Sequence, residues 1–176
     1  MQIHQVTPIL NVRDVPASLE FFEALGWQRT FAWNDAGMIE GAASSNAAGP
    51  AQFAGMCVAE SQLFLCRDGQ GGRGGPGQDP DQTGVWMSWW MGSPAEVDAL
   101  YQRAGELGFE TPMAPRNEPW GVREFWLRHP DGHTFRVSAP DPAGDPGSES
   151  PQNLRYAPFL SRPAKEDGFR GRSVDN

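Results

Sequence analysis

The costliest side chains in this sequence are grouped where they could grip a flat molecule. In the run VWMSWWM, residues 85–91, a strand's twofold alternation puts Trp86, Ser88 and Trp90 on one face and Met87, Trp89 and Met91 on the other. Indole faces attract planar rings and cations, so the first face suits stacking. The second carries both methionines and reads as core filling. A second group lies in EPWGVREFWLRHPDGHTFRVSAP, residues 118–140, where Arg123, Phe125 and Leu127 alternate with Glu124, Trp126 and Arg128. After the turn string His129-Pro130-Asp131-Gly132, the residues His133, Phe135 and Val137 alternate with Thr134, Arg136 and Ser138. One face of this hairpin is apolar; the other needs water or a ligand. On that polar face Arg136 either pairs with Glu124 across the hairpin or binds a ligand's carboxylate or phosphate.

Proton chemistry is poorly provided for. The three histidines, His4, His129 and His133, have no helical HExxH spacing, and His133 reads as a turn histidine with its hydrogen bonds satisfied. No side chain is placed convincingly as a general base. Trp33 and Trp126 either line the same concavity as Trp86 and Trp90 or pack in the core, and Trp120 suits a lid or a subunit contact.

These groups need sheets to hold them. Residues 5–12 read as a strand, followed by DVPASLEFFEALGW, in which Asp14 caps a helix, Leu19, Phe22 and Leu25 recur at helical spacing, and Gly26 ends it. Strands follow over 27–33, 52–59 and 61–66, with a small-residue loop after the first of them. The order then restarts with the tryptophan strand and the helix SPAEVDALYQRAGELGF, capped by Ser93, with Pro94 at its first position and Val97, Leu100, Tyr101, Ala104 and Leu107 inward. Both helices finish in Leu-Gly-aromatic, Leu25-Gly26-Trp27 and Leu107-Gly108-Phe109, so the chain is an internal duplication. The fold class is α+β, with a first βαβββ module over 1–66, a Gly-rich linker over 67–84, a second module over 85–139 and an extended tail over 140–176. The linker has no apolar side chain to bury, which predicts mobility over 70–82, and it lacks the strand-GxxxxGK[ST]-helix setting of a phosphate loop. The tail either wraps over this subunit or a partner or stays partly unfolded.

With 22 acidic and 14 basic residues among 176, the net charge of −8 disfavours nucleic acid and anionic membranes and mildly favours cationic partners, though solubility alone accounts for such a balance. Two cysteines without CxxC spacing, and no apolar span or leader, point to a reduced, cytoplasmic protein.

The stretches TPILNVRDVPASLEFFEALGW and PWGVREFWLRHPDGHTFRV together resemble the vicinal oxygen chelate superfamily of glyoxalases, extradiol dioxygenases, fosfomycin resistance enzymes and bleomycin resistance proteins. The likeness extends over about residues 4–139, with His129 in place of the aspartate usual before the turn. It implies that the two modules form a curved, incomplete mixed-sheet barrel and that two copies pair as a homodimer. It also implies that the family's metal-ligand positions fall at Thr7, Phe64, Trp86 and Arg136. An indole, a phenyl ring and a guanidinium give a divalent ion no donor, so the expectation is no metal and no cofactor. The expected function is that of a bleomycin-resistance-type binding protein, holding a small aromatic, neutral or cationic molecule. Its expected contacts are Thr7, Phe64, Trp86, Ser88, Trp90, Glu124, Trp126 and Arg136. Two other readings stay open: a glyoxalase- or dioxygenase-like metalloenzyme with displaced ligands such as His4, Glu60 or Glu124, and a regulatory or structural interaction protein.

Overall fold

The computed structural model describes residues 5–67, 72–73 and 84–141. His4, nearly all of the Gly-rich linker and the tail beyond Asp141 lie outside the described residues, and with them the expectations placed there.

The chain opens with β1 (Ile9–Val12), α1 (Val15–Ala24) and β2 (Gln28–Asn34). Three two-residue strands follow, β3 (Gly37–Met38), β4 (Ser45–Asn46) and β5 (Gly49–Pro50), then β6 (Phe53–Val58) and β7 (Ser61–Arg67). The second half runs β8 (Trp86–Trp90), α2 (Pro94–Glu106), β9 (Met113–Glu118), β10 (Val122–Arg128) and β11 (Thr134–Pro140). One sheet has the order β1-β7-β6-β2-β3 and another β8-β11-β10-β9, so the order β1-β7-β6-β2 recurs in the second half, while β3 at the first sheet's edge has no counterpart. In each sheet the module's first strand runs parallel to its last. Neither sheet closes into a barrel.

Local chemistry sets the helix ends. The Asp14 carboxylate accepts the Ala17 N–H at 2.9 Å, and Pro16 sits in the first turn, where an N–H is not needed. In α2 the Ser93 hydroxyl accepts from the Glu96 N–H, while Glu96 reaches back to the Gly92 N–H at 2.7 Å. Together these satisfy two otherwise bare donors. The repeated Leu-Gly-aromatic ends are one C-cap built twice. Gly26 and Gly108 take φ of 92° and 71°, and the next residue's N–H returns to the helix, Trp27 to Phe22 at 3.0 Å and Phe109 to Ala104 at 2.9 Å.

Two features depart from the sequence expectation by more than a residue or so. The first strand starts at Ile9 instead of residue 5, because Pro8 has no N–H to contribute; its carbonyl still accepts from Phe64. The loop after β2 also carries the small strands β3 to β5. Its two-residue segments are too short for hydrophobic alternation to betray them, and side chains help to hold the loop: Arg29 Nη1 donates to the carbonyls of Ala42 and Ala43, and Asn34 bonds Asn46 and Gly49.

One core serves both halves. Sheet residues Leu10, Leu63, Leu65 and Met56 from the first module join Phe125, Leu127, Phe135 and Val137 from the second. Phe21 and Phe22 of α1 lie between them, with ring centroids 4.5 Å from Phe109 and 5.7 Å from Phe135 respectively. Trp89 stacks on Phe135 at 4.3 Å, in the core-filling place its methionine-bearing face implied. Polar ties add direction. Arg13 bonds Asp131 through both its backbone N–H, at 2.9 Å, and its Nε, at 2.7 Å. His133 Nδ1 accepts from the Val85 N–H at 3.1 Å, which puts the ring proton on Nε2, and that nitrogen donates to the Asn11 carbonyl at 2.8 Å. His133 is therefore a buried connector of β1, β8 and the turn before β11.

Candidate functional site, an aromatic sheet face

The face of the second sheet turned away from the core is a ladder of facing residues. Trp86 lies opposite Thr134, Ser88 opposite Arg136 and Trp90 opposite Ser138, while Trp126 lies opposite Arg136 on the other side and Glu124 opposite Ser138. Trp86 and Trp90 are 39% and 42% exposed, large values for indoles on a sheet. Trp126 is half-buried and meets Trp86 edge-to-face at a centroid distance of 4.9 Å. Such a pair is a favoured aromatic geometry, and it fixes both rings.

Glu124 organises this face. Its carboxylate, almost wholly buried, accepts four hydrogen bonds: from Arg136 Nε at 3.0 Å and Nη2 at 2.6 Å, from Trp126 Nε1 at 2.9 Å and from Ser138 Oγ at 2.8 Å. Burial alone would raise its pKa, but the hydrogen bonds from Arg136, Trp126 and Ser138 outweigh it and hold the carboxyl below its ordinary range. The Glu124 hydrogen bond in turn raises the Arg136 pKa. Of the two roles open to Arg136, the cross-hairpin pair is formed. Glu124 has its acceptor capacity filled, so it is neither a free base nor a free metal ligand here.

The remaining predicted contacts lie on the first sheet. Phe64, facing Ile9 of β1, joins Phe31 and Phe53 in a triangle of rings 5.4–5.5 Å apart. Gly55 lies between Phe31 and Phe64 in the register, and a side chain there would collide with the Phe31 ring. Trp33, 41% exposed, shares this outward face instead of the core. Thr7 precedes β1, and its Oγ1 accepts from Gln5 Nε2 at 3.2 Å. The predicted set thus falls into two groups, Thr7 with Phe64 on one sheet and Trp86, Ser88, Trp90, Glu124, Trp126 and Arg136 on the other. A cavity of about 510 Å³ beside Arg29 and Ile39 includes none of them. Trp120 is exposed in the β9–β10 turn. Ser138 belongs to the site chemistry through Glu124; the period-two parity of Thr134, Arg136 and Ser138 was the signal for it.

A family profile described as Glyoxalase/Bleomycin resistance protein/Dioxygenase superfamily matches residues 2–137, most of the chain. The chain belongs to this superfamily. Solved glyoxalase-fold structures agree. A glyoxalase/bleomycin resistance protein/dioxygenase from Nocardioides is 22% identical, with TM-score 0.55 over 84% of this chain and 90% of that one. A bleomycin-binding protein in complex with bleomycin is 20% identical, with TM-score 0.51 over 79% of this chain and 100% of that one. The fosfomycin resistance protein FosX from Listeria monocytogenes is 18% identical, with TM-score 0.52 over 79% and 94%. At such identities the likeness is one of fold. No curated protein matches the sequence closely enough to add to this.

Glyoxalase-superfamily metal chemistry needs several oxygen, nitrogen or sulfur donors on cavity strands. At the four positions the resemblance assigns, Thr7 offers one hydroxyl, Phe64 and Trp86 offer nothing, and Arg136 is a cation bound to Glu124. This donor set does not fit a divalent ion. Glu60 lies in the exposed β6–β7 turn, away from the Glu124 network, and among the described residues no three His, Cys, Asp or Glu side chains gather as a metal group. Nor is any helix among the described residues long and apolar enough to cross a membrane.

Proposed function

We propose that this superfamily member binds a small aromatic molecule, neutral or cationic, against the Trp86–Trp126–Trp90 face without transforming it. The observation that carries the reading is the Glu124 network. A carboxylate with four donors fixes an indole and a guanidinium in place, and such preorganisation lowers the ordering cost of binding. Ser88 and the outer part of Arg136 supply polar contacts at the edge of the stacked ring, and Glu124 acts through the two side chains it holds. The opposite wall comes from a second copy of the chain in a homodimer, whose Phe31, Phe53 and Phe64 face, with Thr7 at its edge, would close over the tryptophans. Both faces leave large aromatic or apolar groups partly exposed, Ile9, Trp33 and Trp86 among them, and such surfaces favour being covered.

That a bleomycin-binding protein shares the fold supports a binding role for this scaffold; the chemistry of the Trp face supports an aromatic ligand. Native mass spectrometry of the purified protein tests the assembly and the absence of metal together. A dimer without a stoichiometric metal ion is expected; a monomer, or about one divalent ion per chain, contradicts the proposal.

A further inference from the structure

A second cavity, of about 230 Å³, lies between α1, the α2–β9 connection and the end of β10, apart from the Trp face. Phe21, Phe109 and Pro130 give it apolar walls, and Arg128, His129 and Glu110 give it polar ones. Arg128 is only 8% exposed, yet its Nε and Nη2 donate to no acceptor. The Glu110 carboxylate is 3.4 Å from Nε, near enough to attract it but without hydrogen-bond geometry. His129 completes the set. Its Nδ1 accepts the Asp131 N–H at 3.1 Å, so the ring proton is on Nε2, and that buried nitrogen also has no acceptor. Phe21 and Phe22 hold the imidazole, at centroid distances of 4.8 and 5.7 Å.

Three buried donors without acceptors are costly, and together they specify what would relieve them. Nε and Nη2 share one edge of the guanidinium, the edge that takes both oxygens of a carboxylate side-on. A ligand with a carboxylate there and a third contact at His129 Nε2–H would place its body against the Phe21 and Phe109 rings. We propose that this cavity binds a small organic carboxylate with a compact apolar or aromatic body, seated on Arg128 and His129. Glu110, exposed at the rim, is the internal competitor: its carboxylate draws on the same guanidinium edge and turns outward when a ligand enters.

Benzoate is the probe, titrated into the full chain and followed through the His129 side-chain N–H resonance and through thermal stabilisation. Saturable binding is expected. Glu110→Gln, at a solvent-exposed position that folding tolerates, should tighten benzoate several-fold by removing the competing charge. Arg128→Gln should weaken it by about tenfold or more, the usual worth of a charge-assisted pair. Trp90→Ala should leave benzoate affinity unchanged, which separates this site from the proposed aromatic face. No saturable benzoate binding to the wild type and to Glu110→Gln, or an unaltered affinity in Glu110→Gln, would overturn the proposal even if Arg128→Gln did not fold.

Discussion

Lowering the pH from 7 to 5 should remove about 2 kcal/mol of folding stability through His129 alone. Burial among the core rings is the main cause that pushes this imidazole from its ordinary 6.5 down to about 3, and neighbouring His133 adds to the shift while Asp131 opposes it. The residue is 1% exposed, so solvent screening does not dilute the effect. Because the folded pKa lies below the unfolded one, the unfolded chain takes up the proton first as the pH falls below 6.5. Stability therefore drops from that point and goes on dropping until the folded form is protonated near 3, a total of roughly 5 kcal/mol. Asp131 and Glu124, whose carboxyls are held below their ordinary values, add losses of the same sign at more acid pH. Urea unfolding at pH 7 and pH 5 measures the slope. In His129→Asn, which keeps an acceptor for the Asp131 N–H and does not titrate, the difference between the two pH values should fall by most of that amount; an unchanged slope would mean that His129 is not the group responsible.

Replacing Glu124 with Ala should destabilise the fold by about 3 kcal/mol, at the low end for breaking a buried pair because Arg136 can turn its charge to water. The loss comes from the other donors. Trp126 Nε1–H and Ser138 Oγ–H would face an empty space where the carboxylate was, and the Trp126 ring would lose its anchor against Trp86. Glu124→Gln should lose less, since one amide oxygen still accepts. Denaturant midpoints for the two variants check the order: Ala below Gln, and Gln below wild type. Equal stability for all three would show that the network does not hold this face together.

How far the sequence announced the structure depended on the kind of signal. Helix ends were legible because Asp14, Ser93, Gly26 and Gly108 each do a local job that their side chains, or lack of one, dictate. Strand faces in the second half were legible too, since Phe125, Leu127, Phe135 and Val137 alternate with Glu124, Trp126, Arg128, Thr134, Arg136 and Ser138. Trp89 could be separated from Trp86 and Trp90 by parity alone. Contacts between distant segments were not legible. Nothing local in Arg13 points to Asp131, and nothing in Asn11 points to His133, because such pairs arise only when the two modules share a core. The same holds for Arg128, whose alternation implied a place on the polar face, whereas the structure buries it beside Phe109 and Glu110. Glu124 and Arg136 are readable as a pair, but the convergence of Trp126 and Ser138 on the same carboxylate follows only from the register of β10 against β11. In the sequence His129 is a departure from the family's turn, whereas its burial, which lowers its pKa, is a property of packing.

If the exposed tryptophans stack on an aromatic ligand, as proposed, Trp90→Ala should remove part of that wall. A planar heteroaromatic compound that quenches the wild-type tryptophan fluorescence is titrated into both proteins, and the melting temperature of each is measured in the same buffer. Stacking on Trp90 predicts an affinity loss of about 1–3 kcal/mol, the range for an aromatic base on an aromatic side chain, with little change in melting temperature, since this ring is 42% exposed. A folded Trp90→Ala protein that binds the compound as tightly as wild type would contradict the account.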